Sequence, residues 1–148
     1  MFVPEGFEPP LELATDLFSL EPLGPEHNER DYAAWSSSVD HIRASLGYGP
    51  DSSWPHAMSL AQNLADLERH ARDFAERTGF TYAVLDHERD VVGCVYVYPA
   101  RDDVHDAHVR SWVRASQAEL DMPLREAVAA WVGGPWPFER PLYEPLLD

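Results

Sequence analysis

Residues 80–98 constrain the fold more than any other stretch. Val91-Val92-Gly93-Cys94-Val95-Tyr96-Val97-Tyr98 is apolar on both faces. A β-branched, aromatic run of this kind needs cover on both sides, so it predicts a central strand. Phe80-Thr81-Tyr82-Ala83-Val84-Leu85 reads as a second strand. The polar stretch His87-Glu88-Arg89-Asp90 between them predicts a turn, so the two pair as an antiparallel hairpin. After polar Arg101–Asp106, the segment Ala107 to Arg114 alternates. Ala107, Val109, Ser111 and Val113 face one way; His108, Arg110, Trp112 and Arg114 face the other.

Helices must cover such a sheet. Gly24-Pro25 opens one, with Pro25 suited to a first turn. Tyr32, Trp35, Val39, Ile42 and Leu46 recur at helical spacing, and Gly47 is a natural stop. Residues 47–58 read as a loop containing Trp54-Pro55-His56. Ser59-Leu60-Ala61-Gln62 matches a capping box, in which each side chain satisfies the other residue's orphan N–H. Leu60, Leu64, Leu67, Ala71 and Phe74 then form one stripe, and Gly79 ends that helix. Asp121 is placed to cap a third helix with Leu124, Ala127, Val128 and Trp131 on its apolar face. Prolines flank two short extended segments, Leu17–Leu23 and Phe138–Tyr143.

The order is strand, helix, helix, three strands, helix, strand. It predicts an α/β (α+β) architecture, a mixed, mainly antiparallel sheet flanked by helices. The 148 residues suit one domain, 1–148, with residues 1–16 as an irregular Pro- and Glu-rich arm. Cys94 is the only cysteine, so no intrachain disulfide forms. The N-terminus has no basic and apolar leader pattern, and no run is long enough to span a membrane, which points to the cytoplasm. The net charge is −15, and all eleven cationic side chains are arginine. Such a surface repels nucleic acid and anionic lipid and attracts cationic small molecules.

The element order, the strand Gly93-Cys94-Val95-Tyr96-Val97-Tyr98 and the strand Val109-Arg110-Ser111-Trp112-Val113-Arg114 resemble the GNAT superfamily of acyl-CoA N-acyltransferases. The resemblance covers roughly residues 17–143. It implies acetyl-CoA or another acyl-CoA as co-substrate and a small-molecule amine as acceptor. Cofactor-binding positions then fall on Val113, Arg114, Ala115, Gln117 and Arg125, at the end of the family's fourth strand and in the loop and helix beyond. In that family a Q/R-x-x-G-x-G/A loop holds the pyrophosphate, since bare N–H groups at a helix start favour anions. Here the stretch is Gln117-Ala118-Glu119-Leu120-Asp121-Met122. Both glycines are gone and two carboxylates stand near the phosphates. At ~5 Å and an effective dielectric of about 20, each like-charge pair costs roughly 3 kcal/mol.

The acceptor site should lie beside the polar face of 107–114 and the loop after the first helix. His41, Trp54, His56, Arg110 and Trp112 are its candidates, with Trp112 as a floor and Arg110 or Arg114 as holder of a carboxylate or phosphate. Tyr96, Tyr98 and His108 are candidates for proton transfer. Cys94 lacks a readable base and reads as an inert thiol. His105 and His108 are too few and badly spaced for a metal site. Two other readings stand beside the transferase. One is a degenerate scaffold that binds a ligand or partner. The other is a homodimer paired through an open edge, since the family continues with a helix and two strands beyond this length.

Overall fold

A computed structural model describes residues 1–45, 48 and 54–143. They form one six-stranded sheet in the order β1 (Leu13–Ala14), β2 (Ser19–Pro22), β3 (Phe80–Leu85), β4 (Val91–Tyr98), β5 (Ala107–Val113) and β6 (Pro141–Tyr143). All neighbours run antiparallel except β5 and β6, which are parallel. The mixed sheet is the expected one, and β4 lies inside it as its two-faced apolarity requires.

The first sixteen residues are not simply an irregular arm. Leu13 pairs with Leu20 in β1–β2. Val3 is buried, and Phe2 and Phe7 pack on the core around it. Prolines break any periodicity there, so this cover is invisible as a pattern.

Among the described residues four α-helices accompany the sheet: α1 (Asn28–Ser36), α2 (Val39–Arg43), α3 (Leu60–Glu76) and α4 (Asp121–Val132). None of the described helices is long and apolar enough to cross a membrane. The single helix expected after Gly24 is instead a 3-10 turn at Pro25–His27, then α1, then α2. The break falls at Ser37–Ser38, where Ser38 leaves helical geometry (φ −133°, ψ 19°). Serine hydroxyls compete for backbone groups: Ser37 Oγ donates to Ala34 O at 3.1 Å. Leu46, the stop at Gly47 and loop positions 49–53 lie outside the described residues.

In α3 the capping box is present, with Ser59 Oγ accepting from Gln62 N–H at 3.1 Å. The stripe, however, is out of phase. Leu60 and Leu64 are 41% and 36% exposed, while Asn63 and Leu67 are buried and His70 and Phe74 half-buried. Polar residues on the inner face displaced the leucines because they find partners there. The helix ends on Arg77 in left-handed geometry (φ 64°), before Gly79.

The sheet separates two cores. Trp35, Ile42 and Leu67 from α1–α3 cover Ala83, Leu85, Cys94 and Trp112 on one face. Leu124, Val128 and Trp131 from α4, with Trp136, cover Tyr82, Val95, Val97 and Val109 on the other. A bulge in β4 sets which residues reach which core. Pairing jumps from Val84↔Gly93 to Leu85↔Val91, leaving Val92 as the extra residue. Gly93 is required there: a Cβ on it would lie 2.3 Å from the Trp112 carbonyl oxygen.

Candidate functional site

The parallel pair β5–β6 joins Ala107–Val109 to Pro141–Tyr143. β5 itself runs on to Val113. The Tyr143 hydroxyl lies 2.5 Å from Ser111 Oγ, and burial raises its pKa to about 12. The Arg125 guanidinium lies 5.5 Å from the Tyr143 ring centroid, and its Nε donates to Asp121 Oδ2 at 3.1 Å. Asp121 is therefore no N-cap. The 3-10 turn Ala115–Leu120 runs straight into α4, and Asp121 N–H already bonds Ala118 O.

The backbone donors after β5 are largely taken. Arg114 N–H bonds Val92 O at 2.8 Å and Gln117 N–H bonds Arg114 O at 3.0 Å. Ala115 N–H donates to Ser38 Oγ, the hydroxyl freed by the α1–α2 break, at 2.9 Å. The Arg114 side chain turns to Asp90 Oδ2 at 3.3 Å. Arg114 Nε, Gln117 Oε1 and Asp121 Oδ1 are buried without hydrogen-bond partners among the described residues. Val113 is buried in the core.

An aromatic column lies under the other end of the site. Trp112 is fully buried and donates Nε1–H to Tyr96 Oη at 2.9 Å. Burial pushes the Tyr96 hydroxyl pKa well up. The Trp112 ring is 5.9 Å from Trp54, which is 5.7 Å from Trp35 and 5.9 Å from Tyr48. Above Trp35 is an open hollow of about 550 Å³, lined by Tyr32, Trp35, Val39, Arg43, His56 and Met58 among others. The Tyr32 hydroxyl donates to Met58 O at 2.8 Å, and an Arg43 guanidinium N–H donates to Pro55 O, closing its rim. His56 thus joins the hollow, Trp54 and Trp112 form the layer beneath, and His41 is half-buried on α2. Arg110 sits over Tyr48 and Tyr96, 5.4 and 5.6 Å from their ring centroids.

Sequence reasoning missed His70. Its Nδ1 lies 2.9 Å from Tyr98 Oη and 3.0 Å from Thr81 Oγ1. Tyr98 donates its own proton to Asp73 Oδ2 at 2.8 Å. Nδ1 must therefore carry the ring proton, leaving a lone pair on Nε2. Burial, helped by Arg69, lowers the His70 pKa to about 4, so the ring is neutral. Burial raises Tyr98 to about 12. The ring of His70 is 5.7 Å from that of Tyr96. His108 stands in register between Tyr98 and Leu142. The only sequence signal for His70 was its place on an inner face reserved for apolar residues.

Asp31 and Asn63 form a second buried polar group. Asn63 Nδ2 donates to Asp31 Oδ2 at 3.1 Å, and Asn63 Oδ1 accepts from Trp35 Nε1 at 3.0 Å. Cys94 Sγ donates to Asp31 Oδ1 at 3.4 Å. Burial, then the Asp31 charge, raises the thiol pKa, which makes Cys94 a poor nucleophile. His105 pairs with Asp102 at 2.8 Å. Among the described residues no group of three or more His, Cys, Asp and Glu could hold a metal ion.

No family model matches this sequence, and no curated protein does. Solved structures do match. A ribosomal-protein-S5-alanine acetyltransferase from Vibrio fischeri is 14% identical over 84% of this chain and 66% of its own, with a TM-score of 0.62. A ribosomal L7/L12 alpha-N-protein acetyltransferase is 14% identical over 88% and 69%, at 0.63. The Microcin C7 self immunity acetyltransferase MccE, solved with acetyl-CoA and AMP, is 12% identical over 80% and 62%, at 0.61. The chain spans about two thirds of the length of these proteins. Its fold is the GNAT acetyltransferase fold.

Proposed function

We propose that this chain is an acyl-CoA-dependent N-acyltransferase acting on a primary amine, either a small molecule or the N-terminus of a peptide. The observation that carries the reading is the shared fold, in which the C-terminal end of β5 leads through Ala115–Leu120 into α4 and β5 pairs in parallel with β6. In the resembled family the pantetheine lies at that strand end. The hollow beside Trp35 is of ordinary ligand size and supplies an acceptor side. The neighbour named as an L7/L12 alpha-N-protein acetyltransferase supports a peptide acceptor as much as a small amine.

Transfer needs little acid–base machinery. The amine nitrogen attacks the thioester carbonyl, a C–N bond forms, the C–S bond breaks and the thiolate leaves. Orientation supplies most of the gain. His70 Nε2 offers a lone pair to accept a hydrogen bond from the neutral amine, and the Asp73–Tyr98 pair holds its tautomer. With a pKa of about 4 it is a weak base, and the proton the amine loses ends on the departing thiolate. Tyr96 packs between His70 and the Arg110 guanidinium and, through Trp112, is fixed to β5.

The phosphate end fits less well. The N–H of Ala115 is held by Ser38, and Glu119 and Asp121 carry charge of the wrong sign. Those features favour the second reading, a GNAT-fold scaffold that binds a ligand without acyl transfer. Calorimetry with acetyl-CoA and with S-acetyl-pantetheine separates the two. The transferase reading expects both to bind within about tenfold of each other, because the diphosphate adds little. Absence of binding by either at about 1 mM would sink it.

A further inference from the structure

Arg110 is the one half-buried guanidinium with no acceptor among the described residues. Seven other arginines donate to carbonyls or carboxylates. The remaining three are exposed. In a chain of net charge −15, a partly buried arginine that meets neither a carboxylate nor a carbonyl among the described residues is an exception to be explained. Its position is built: the cation stands over two rings, Tyr48 at 5.4 Å and Tyr96 at 5.6 Å. Both distances fall in the range where ring faces attract a cation. Ring contacts use the faces of a guanidinium and leave its in-plane N–H fork unspent, and that fork matches a carboxylate in two-point contact. Tyr48 adds an independent sign. Its hydroxyl is buried and has no hydrogen-bond partner among the described residues, an unspent donor beside the cation.

We propose that Arg110, with Tyr48, is a receptor for a carboxylate carried by the acceptor amine. The inference rests on the transferase reading for the word acceptor, but the binding site stands without it. Arg110 and His70 both pack against the same ring, Tyr96, so a carboxylate held at Arg110 places its own amine in the neighbourhood of His70. A zwitterion suits the surface as well. The acidic protein attracts the ammonium and repels polyanions, while the half-buried Arg110 accepts one carboxylate. The class is thus an amine bearing one carboxylate, either a free amino acid or a peptide whose N-terminal residue is acidic.

The test is binding to the full chain without any acyl donor, followed by NMR. The probes are β-alanine against β-alaninamide, and the peptide amide Asp-Ala-Ala against Asn-Ala-Ala. At least one carboxylate probe should bind about tenfold or more tighter than its amide partner. Which pair shows the preference tells a free amino acid from a peptide. The preference should vanish in Arg110→Gln and return in part in Arg110→Lys, with thermal unfolding confirming that both variants fold. If amides and carboxylates bind alike, if neither binds at about 10 mM, or if Arg110→Gln keeps the preference, the proposal is overturned. Because no acyl-CoA is present, failure to bind acyl-CoA would sink the transferase reading and leave this result untouched.

Discussion

The ring of Tyr98 occupies the space where a side chain on Gly79 would begin: a Cβ built there would lie 2.0 Å from Tyr98 Cε2. The glycine just beyond α3 is thus a socket for the tyrosine that holds His70. Gly79→Ala should displace Tyr98 and cost about 1–3 kcal/mol, the usual range for overpacking. Chemical denaturation measures the loss. An unchanged midpoint would show that Tyr98 moves aside freely and that the His70 arrangement is loose.

His70 makes stability depend on pH. Its pKa falls from an ordinary 6.5 to about 4 on folding, through burial and then Arg69, with Arg110 adding to the effect and Asp66 and Asp73 opposing it. The unfolded chain therefore binds the proton more readily. The neutral ring's contribution is complete above pH 6.5 and is lost as pH falls from 6.5 towards 4. The difference is on the order of 3 kcal/mol. Wild type should lose stability over that window more steeply than His70→Asn. Parallel curves for the two proteins would remove His70 from the account.

Cys94 should be silent to thiol reagents. Its Sγ is fully buried against Asp31, and its pKa is raised. Ellman's reagent should label native protein only at the rate of unfolding and react at once in denaturant. Rapid labelling of the folded chain at pH 8 would mean that α1 lifts from β4.

Ser38 couples the α1–α2 break to the segment after β5. Removing its hydroxyl in Ser38→Ala should cost about 1 kcal/mol by orphaning the Ala115 N–H. On the transferase reading the same change releases a donor at the phosphate end, so acetyl-CoA should bind more tightly while the melting temperature falls. Weaker binding in step with stability would assign Ser38 a purely structural part.

The sheet was legible where sequence texture and tertiary environment agree. β3 and β4 are nearly continuous apolar runs, β5 alternates, and their pairing follows from polar turns between them. The alternation in β5 also held, with Val109 and Val113 in one core and Trp112 in the other. Sequence reasoning failed where partners come from afar. Asn63 and His70 occupy inner positions of α3 because Asp31, Trp35, Thr81 and Tyr98 satisfy them. A hydrophobic template gives those positions to leucine, and so it placed Leu60 and Leu64 inside. The same cause hid the candidate base. His70 has no motif, and its role depends on residues 3, 11 and 28 places along the chain. Arg110 and Trp112 were legible, since strand alternation alone puts them on one side.

Three described residues of β6 stand in register with β5, and the crossover between them runs through the whole of α4. The β3–β4–β5 meander can assemble from neighbours joined by short turns, whereas β6 must wait for the helix to dock. The last described strand is therefore expected to join late. Its amides should exchange with deuterium well before those of β4. Local release of β6 would lift Tyr143 off Ser111 and Arg125 while the β3–β4–β5 pairing stays closed.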